Sequence, residues 1–294
     1  MYYVVYGLFY GLSFLPFRVL YLLSDLIYLV LYYGFGYRRD VVMNNLGTAF
    51  PEKTNRERKK IARDFYRNFV DSFIEMIKLF SISRTELNKR LTGNFEVVND
   101  LYASGQSVQI HTGHFFNWEF MNLASGENVR GYKFIGVYMP LKNKIFNRII
   151  IKLRSRFGSV LVPATGFKSA FMAIRKEPYV LGLVGDQNAG DPMQAYWHPF
   201  FGKMAPFVRG PEKGARNSNT AVVMLNFYKV RRGYYQASFE LLTTTPKEMA
   251  EGEITTRLIR YIEQAVQDHP SNYLWTHRRW KWPFDPEKHQ HLVI

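Results

Sequence analysis

From Phe95 onward, short apolar runs alternate with stretches of helical periodicity, and this alternation limits the possible folds more than any other feature of the chain. Candidate strands are "FEVV" at 95–98, "SVQIHT" at 107–112, "YKFIGVY" at 132–138, "SVLVP" at 159–163 and "YVLGLVG" at 179–185. Two later runs, "AVVMLNFYKV" at 221–230 and "YYQASFELL" at 234–242, are separated by Arg231-Arg232-Gly233, which reads as a hairpin turn. Helical patterns cover 116–125, 142–157 and 167–177, with further helices near 208–217 and 253–268. Strands alternating with helices imply an α/β fold, a mostly parallel central sheet flanked by helices.

The amino terminus follows another rule. "MYYVVYGLFYGLSFLPFRVLYLLSDLIYLVLYY" carries side-chain charge only at Arg18 and Asp25. A secretory signal would begin with basic residues and end at a small-residue cleavage site; here bulky side chains run on to Tyr33. About 20 apolar residues suffice to cross a bilayer. The segment therefore reads as a retained N-terminal membrane-anchoring helix, with 1–35 as anchor and 36–294 as one catalytic-size domain. Pro16 divides it, so a spanning helix from about Leu15 to Tyr33 competes with an interfacial hairpin; a long buried core helix is the structural alternative. Arg38 and Arg39 follow at once, which places that end in the cytoplasm. Next, Thr54 with Glu57 has capping-box form, and apolar residues at Ile61, Phe65, Phe69, Phe73, Met76, Ile77 and Phe80 predict a helix over 55–80.

The net charge of +15 asks for an anionic partner: nucleic acid, an acidic membrane surface, a phosphorylated substrate or an acidic protein. No zinc-finger spacing or aromatic RNA-recognition motif accompanies it, and an anchor argues against nucleic acid. With no cysteine, disulfides and thiolate chemistry are excluded.

Chemistry concentrates at the ends of candidate strands, where α/β folds place their sites. "IHTGHFFNWEF" (110–120) sets His114 after a strand and Glu119 in the first turn of the next helix. A carboxylate on one ring nitrogen fixes the tautomer and leaves the other to accept a proton, so the pair reads either as a general base with its orienting group or as a satisfied core histidine. His111, His114 and Glu119 would also number three metal ligands, but the helical His-Glu-x-x-His arrangement is missing and His111 lies within the strand; no metal is expected. "LKNKIFNRIIIKLRSRF" (141–157) carries a basic stripe of Lys144, Arg148, Lys152 and Arg156, whose ordinary reading is a solvated face. Arg154 lies off that stripe and needs an anion; Asp186, directly after the strand at 179–185, is a candidate partner. Residues 186–207, rich in Gly, Pro and aromatics, read as a long functional loop or lid.

Several stretches resemble one family, the late acyltransferases of lipid A biosynthesis within the glycerophosphate/lysophospholipid acyltransferase superfamily. "GHFFNWE" (113–119) resembles its signature block and "NNLGTAFPE" (44–52) its segment after the anchor. "VYMPLKN" (137–143) with "LRSRFG" (153–158) is similar to its second block, "GDQNAG" (185–190) with "FFGKMA" (200–205) to its third, and "HPSNYLWTHRRWK" (269–281) to its C-terminal signature. Met139 stands where members often have Arg, which removes one charged substrate contact, and Glu119 stands where the glycerolipid branch usually has Asp.

The resemblance implies acyl transfer from acyl carrier protein or acyl-CoA to a hydroxyl of an anionic lipid A precursor. It would take place on the cytoplasmic side of the bacterial inner membrane, at the inner leaflet, with no metal or redox cofactor. It implies His114 as general base and Glu119 as its orienting partner, Arg154 at the oxyanion or a phosphate, and Asp186 holding Arg154. Asn117, Lys142, Asn143, Arg209, Arg278 and Arg279 are the expected substrate contacts. The same chemistry on a lysophospholipid or glycolipid, a hydrolase, and a non-catalytic lipid-binding relative are the alternatives.

Overall fold

The computed structural model describes all residues, 1–294. Helices α1 (Tyr2–Leu12) and α2 (Phe17–Leu29) part at Pro16, and a π-helical turn (Val30–Gly34) follows. Then come α3 (Arg39–Ala49), α4 (Asn55–Lys78), α5 (Arg84–Arg90), β1 (Leu91–Gly93) and α6 (Glu96–Asn99). The alternating part runs β2 (Val108–Thr112), α7 (Trp118–Asn128), β3 (Lys133–Tyr138), α8 (Lys144–Arg154), β4 (Val160–Pro163), α9 (Phe167–Ile174) and β5 (Tyr179–Val184). A separate hairpin, β6 (Ala195–Phe200) and β7 (Lys203–Val208), precedes α10 (Gly210–Ser218), β8 (Ala221–Arg231), β9 (Tyr234–Thr243), α11 (Glu253–Asp268) and α12 (Pro286–His289).

Seven strands form one sheet in the order β1-β9-β8-β2-β5-β3-β4, and every neighbouring pair is parallel except β8 and β9. The expected α/β architecture is present, with β2 at the centre and buried along its whole length. Burial on both faces explains why parallel strands read as apolar runs instead of alternating patterns. Gly233 turns the β8–β9 hairpin with φ +74°, a conformation that favours glycine. At the other end of the fold the expected capping box is present: the Thr54 amide donates to Glu57 at 2.7 Å and the Glu57 amide to Thr54 Oγ1 at 3.3 Å, starting α4.

Two expectations change. The expected strand at 95–98 is instead the turn residue Phe95 and most of helix α6, because Asn94 has already met the edge of β9: its side chain accepts from the Phe239 amide (2.7 Å) and donates to the Phe239 carbonyl (2.8 Å). With those groups taken, the chain leaves the sheet, and a four-residue apolar run holds no periodicity to resist. The expected loop at 186–207 is largely the β6–β7 hairpin. The basic stripe is a solvated face as expected at Lys144, Arg148 and Lys152, which are exposed, with Arg148 and Lys152 also lying over the rings of Tyr2 and Tyr6 at 4.3 and 4.1 Å; Arg156, just past α8, is half-buried and donates to the Leu79 carbonyl.

Helix α2 packs along α4 through Leu20, Ser24 and Tyr28, with Ser24 donating to Asp71 at 2.7 Å. Leu22, Leu26, Leu29 and Tyr33, spaced three or four apart, project outward and are exposed.

Candidate active site

Strand order brings the first two site residues together. In the parallel pair β2 and β5, Thr112 stands opposite Val184. His114 and Asp186 each come two residues later, so they leave the sheet side by side. The Gly185 amide still donates to the Thr112 carbonyl at 3.1 Å, which holds the register to the last residue. Asp186 then accepts from the His114 backbone amide at 3.1 Å and pairs with ring Nδ1 at 2.5 Å. With Nδ1 carrying the proton toward the carboxylate, Nε2 presents its lone pair, and no protein group occupies it. Burial alone would raise the Asp186 carboxyl, but the charge and hydrogen bonds of His114, with the Tyr273 hydroxyl, outweigh it and hold Asp186 at about 2. Asp186 is 1% exposed and His114 27% exposed, so the carboxylate is enclosed while the imidazole reaches the cavity.

Glu119 does not take this position. It is buried and forms a two-pronged pair with Arg154, Nε to Oε2 at 2.9 Å and Nη2 to Oε1 at 2.6 Å. The Trp118 indole donates a third bond at 3.1 Å. The partners expected from the sequence are thus exchanged: Asp186, expected on Arg154, holds His114, and Glu119, expected on His114, holds Arg154. Burial tends to lower Arg154, but the Glu119 bonds and charge prevail and raise it, so the guanidinium stays charged.

Asn117, expected at the substrate, is a buried helix cap. Its Oδ1 accepts from the Glu119 and Phe120 amides (3.1 and 3.4 Å), starting α7, and its Nδ2 donates to Glu75 at 3.1 Å. Both ends of the amide are occupied, which leaves nothing for a ligand. Glu75 is a residue sequence reasoning missed. Fully buried on α4, it also accepts from Tyr235 at 2.5 Å and from Tyr21 of α2 at 2.9 Å. The available signal was Asp71 four residues earlier, since two like charges on one helical face repel unless partners answer them. The aromatics of the block are core: Phe115 and Phe116 are buried, and the Phe116 amide donates to Asn272 at 2.9 Å.

His114 and Arg154 both line a cavity of about 430 Å³ with mainly apolar walls, including Trp118, Met121, Phe134 and Leu161. Ser125 of α7, Gly136 of β3 and Gly182 of β5 also line it. The remaining expected contacts lie elsewhere. Lys142 and Asn143 are exposed outside this cavity, and Asn143 caps α8 by accepting from the Ile145 and Phe146 amides at 2.9 and 3.3 Å. Arg209 lies over the Tyr196 ring at 4.5 Å and donates to the Ala195 carbonyl at 3.1 Å. Arg279 is buried over Phe207 at 4.1 Å and donates to Asn188 at 3.0 Å, and burial lowers it to about 10. Arg278 lines a second cavity. His111 bonds Gln109 at 2.9 Å instead of joining His114, and burial pushes it down to about 4.

The arrangement offers a base with an open nitrogen, a fixed cation close by and an apolar chamber beneath both. Against known proteins, the family described as "Bacterial lipid A biosynthesis acyltransferase" matches residues 1–282. A lipid A biosynthesis lauroyltransferase of Escherichia coli (strain K12) is 24% identical over 290 residues, 92% of each chain. A lipid A biosynthesis palmitoleoyltransferase of the same organism is 24% identical over 252 residues, 83% of this chain and 79% of that protein. A lipid A biosynthesis acyltransferase of Shigella flexneri matches to the same extent, 24% over 252 residues.

Proposed function

The chain belongs to the bacterial lipid A biosynthesis acyltransferase family, and from that premise we propose that it moves a fatty acyl chain from a thioester donor, acyl carrier protein or acyl-CoA, to a hydroxyl of a lipid A precursor. The observation that carries the reading is the His114–Asp186 pair at 2.5 Å on the rim of an apolar cavity.

In the reaction the acceptor hydroxyl gives its proton to His114 Nε2 as its oxygen attacks the thioester carbonyl. Asp186 keeps the imidazole in the accepting tautomer and stabilises the imidazolium that forms. The carbonyl oxygen becomes an oxyanion, which the free N–H groups of Arg154 stabilise while Glu119 holds the guanidinium still. Collapse breaks the carbon–sulfur bond, and the thiolate recovers the proton from His114. Chemistry of this kind uses a base, an oriented acceptor and an oxyanion site. The acyl chain occupies the apolar cavity below His114.

Residues 1–35 seat the enzyme on the inner leaflet. The outward stripe of Leu22, Leu26, Leu29 and Tyr33, together with the buried polar contacts that fasten α2 to α4, supports an interfacial position over a free-standing span. The high positive charge suits an anionic leaflet and an acidic carrier protein.

Lipid mass spectrometry of cells lacking the gene, complemented with wild type or with His114→Ala, tests the reading. Loss of one acyl chain from lipid A, restored only by wild type, is the expected result. An unchanged lipid A with a chain missing from another lipid would move the acceptor assignment, and rescue by His114→Ala would remove the base.

A further inference from the structure

Parts of three sequence blocks lie away from the cavity at His114. Asn44 and Thr48 of "NNLGTAFPE", Lys203 of "FFGKMA", and Arg278 and Lys281 of the C-terminal signature instead line a second, open cavity of about 800 Å³. Its walls come from α3, the first turn of α4, the start of β7 and residues 278–281. Four cationic side chains, Arg58, Lys203, Arg278 and Lys281, face a single acid, Asp40. No ion pair neutralises any of the four, and Arg58 makes only a long bond to the Phe50 carbonyl at 3.5 Å. Between the charges, Asn44, Asn55 and Thr48 add amide and hydroxyl groups. Asn45 is spent on the wall itself, donating to the Trp275 and His277 carbonyls at 2.8 and 2.7 Å.

Unpaired cations interleaved with amides in a concave site suit phosphate or carboxylate groups carried on a sugar. The face of a partner protein fits less well, because such an interface needs a central apolar anchor and only Val41, Met43 and Trp280 are apolar here. A short stretch of backbone connects this cavity to the base. The Leu274 amide donates to the His114 carbonyl at 3.0 Å, and Arg278 follows four residues later, within about 14 Å even if that stretch were fully extended. Two residues beyond Asp186, Asn188 ties the same stretch to the catalytic side, its amide donating to His277 Nε2 at 3.3 Å and its side chain to the Arg278 carbonyl at 2.7 Å.

We propose that this basic cavity holds the phosphate- or carboxylate-bearing sugar head group of the acceptor lipid and so presents the acceptor hydroxyl to His114 from the side opposite the donor's acyl chain. The assignment rests on the acyl-transfer reading, and the test separates the two.

The full-length protein and its Arg278→Ala/Lys281→Ala variant are compared in steady-state transfer with a phosphorylated lipid A precursor and with the same precursor stripped of phosphate. The expected result is a rise of about tenfold in KM for the phosphorylated acceptor, a much smaller change in kcat and no change in KM for the donor. The stripped acceptor should narrow the gap between the two proteins. A rise confined to the donor's KM would assign the cavity to the carrier and overturn the proposal, as would an acceptor KM that does not move. Lys203→Ala, on a different element, repeats the test if the double variant fails to fold.

Calorimetric binding of inorganic pyrophosphate, with a neutral disaccharide as control, gives a readout that needs no turnover. Binding weakened about tenfold in the variant is expected. If wild type shows that binding yet acylates no precursor, the reaction assignment falls and the anion site stands. Equal binding by both proteins overturns the site.

Discussion

Asp186 and Glu119 are both buried carboxylates, each bonded to one basic side chain at the edge of the same cavity, but they hold different kinds of base. Asp186 grips an imidazole, a group that can accept a proton and hand it on. Glu119 grips a guanidinium, which cannot. The first pair can therefore take part in proton transfer, whereas the second can only fix a charge in place. A carboxylate's role in this site thus follows from its partner more than from its own burial.

The largest effect expected from breaking this comparison is at His114. His114→Ala should lower kcat by roughly 10³ to 10⁴, measured by acyl transfer from a radiolabelled thioester, with little change in thermal stability. Asp186→Asn should follow, lowering kcat by about 10³ because the amide favours the wrong tautomer. It should also leave a pH signature. Folding holds Asp186 at about 2, below its ordinary 3.8, so the pair contributes stability that is fully present above about pH 4 and lost as pH falls toward 2. Denaturant melts of wild type and Asp186→Asn should differ by about 2 kcal/mol at neutral pH and converge at the acid end.

On the other side of the comparison, Glu119→Gln leaves Arg154 buried without its counter-charge. Its main loss should be in stability, about 3 kcal/mol by chemical denaturation, and Arg154→Gln combined with it should recover part of that loss. A result in which Glu119→Gln alters the pH dependence of kcat as Asp186→Asn does would erase the distinction. The smallest effect should come from Glu75→Gln. A neutral amide still offers an acceptor to the surrounding donors, so stability should stay within about 1 kcal/mol of wild type, whereas Glu75→Ala should cost about 3 kcal/mol by leaving buried donors unmet.

Much of this molecule was legible beforehand. The strands at 107–112, 132–138, 159–163 and 179–185, the 231–233 turn and the Thr54 cap all appear at their expected places, because a period or a cap is written within a few residues. Residues 95–98 were misread because the deciding contact, Asn94 with Phe239, joins residues far apart in the chain. The same limit applied to Asn117 and Asn143. Both lie in blocks that read as substrate contacts, yet each serves as the cap that starts a helix bearing one member of the Glu119–Arg154 pair.

The sequence by itself determined the α/β class, the apolar amino terminus, the family and four of the polar residues at the cavity edge. Their pairing came only with the tertiary structure. Glu119 is five residues from His114 and Asp186 is 72 residues away, so proximity in the chain favoured the wrong partner. Nothing local says that β5, not β3, lies beside β2. Once that order is set, equal register carries Asp186 to His114, and α7 and α8 turn Glu119 and Arg154 toward each other. Strand neighbours are chosen by burial across the whole sheet, and that information is spread over residues no local pattern connects.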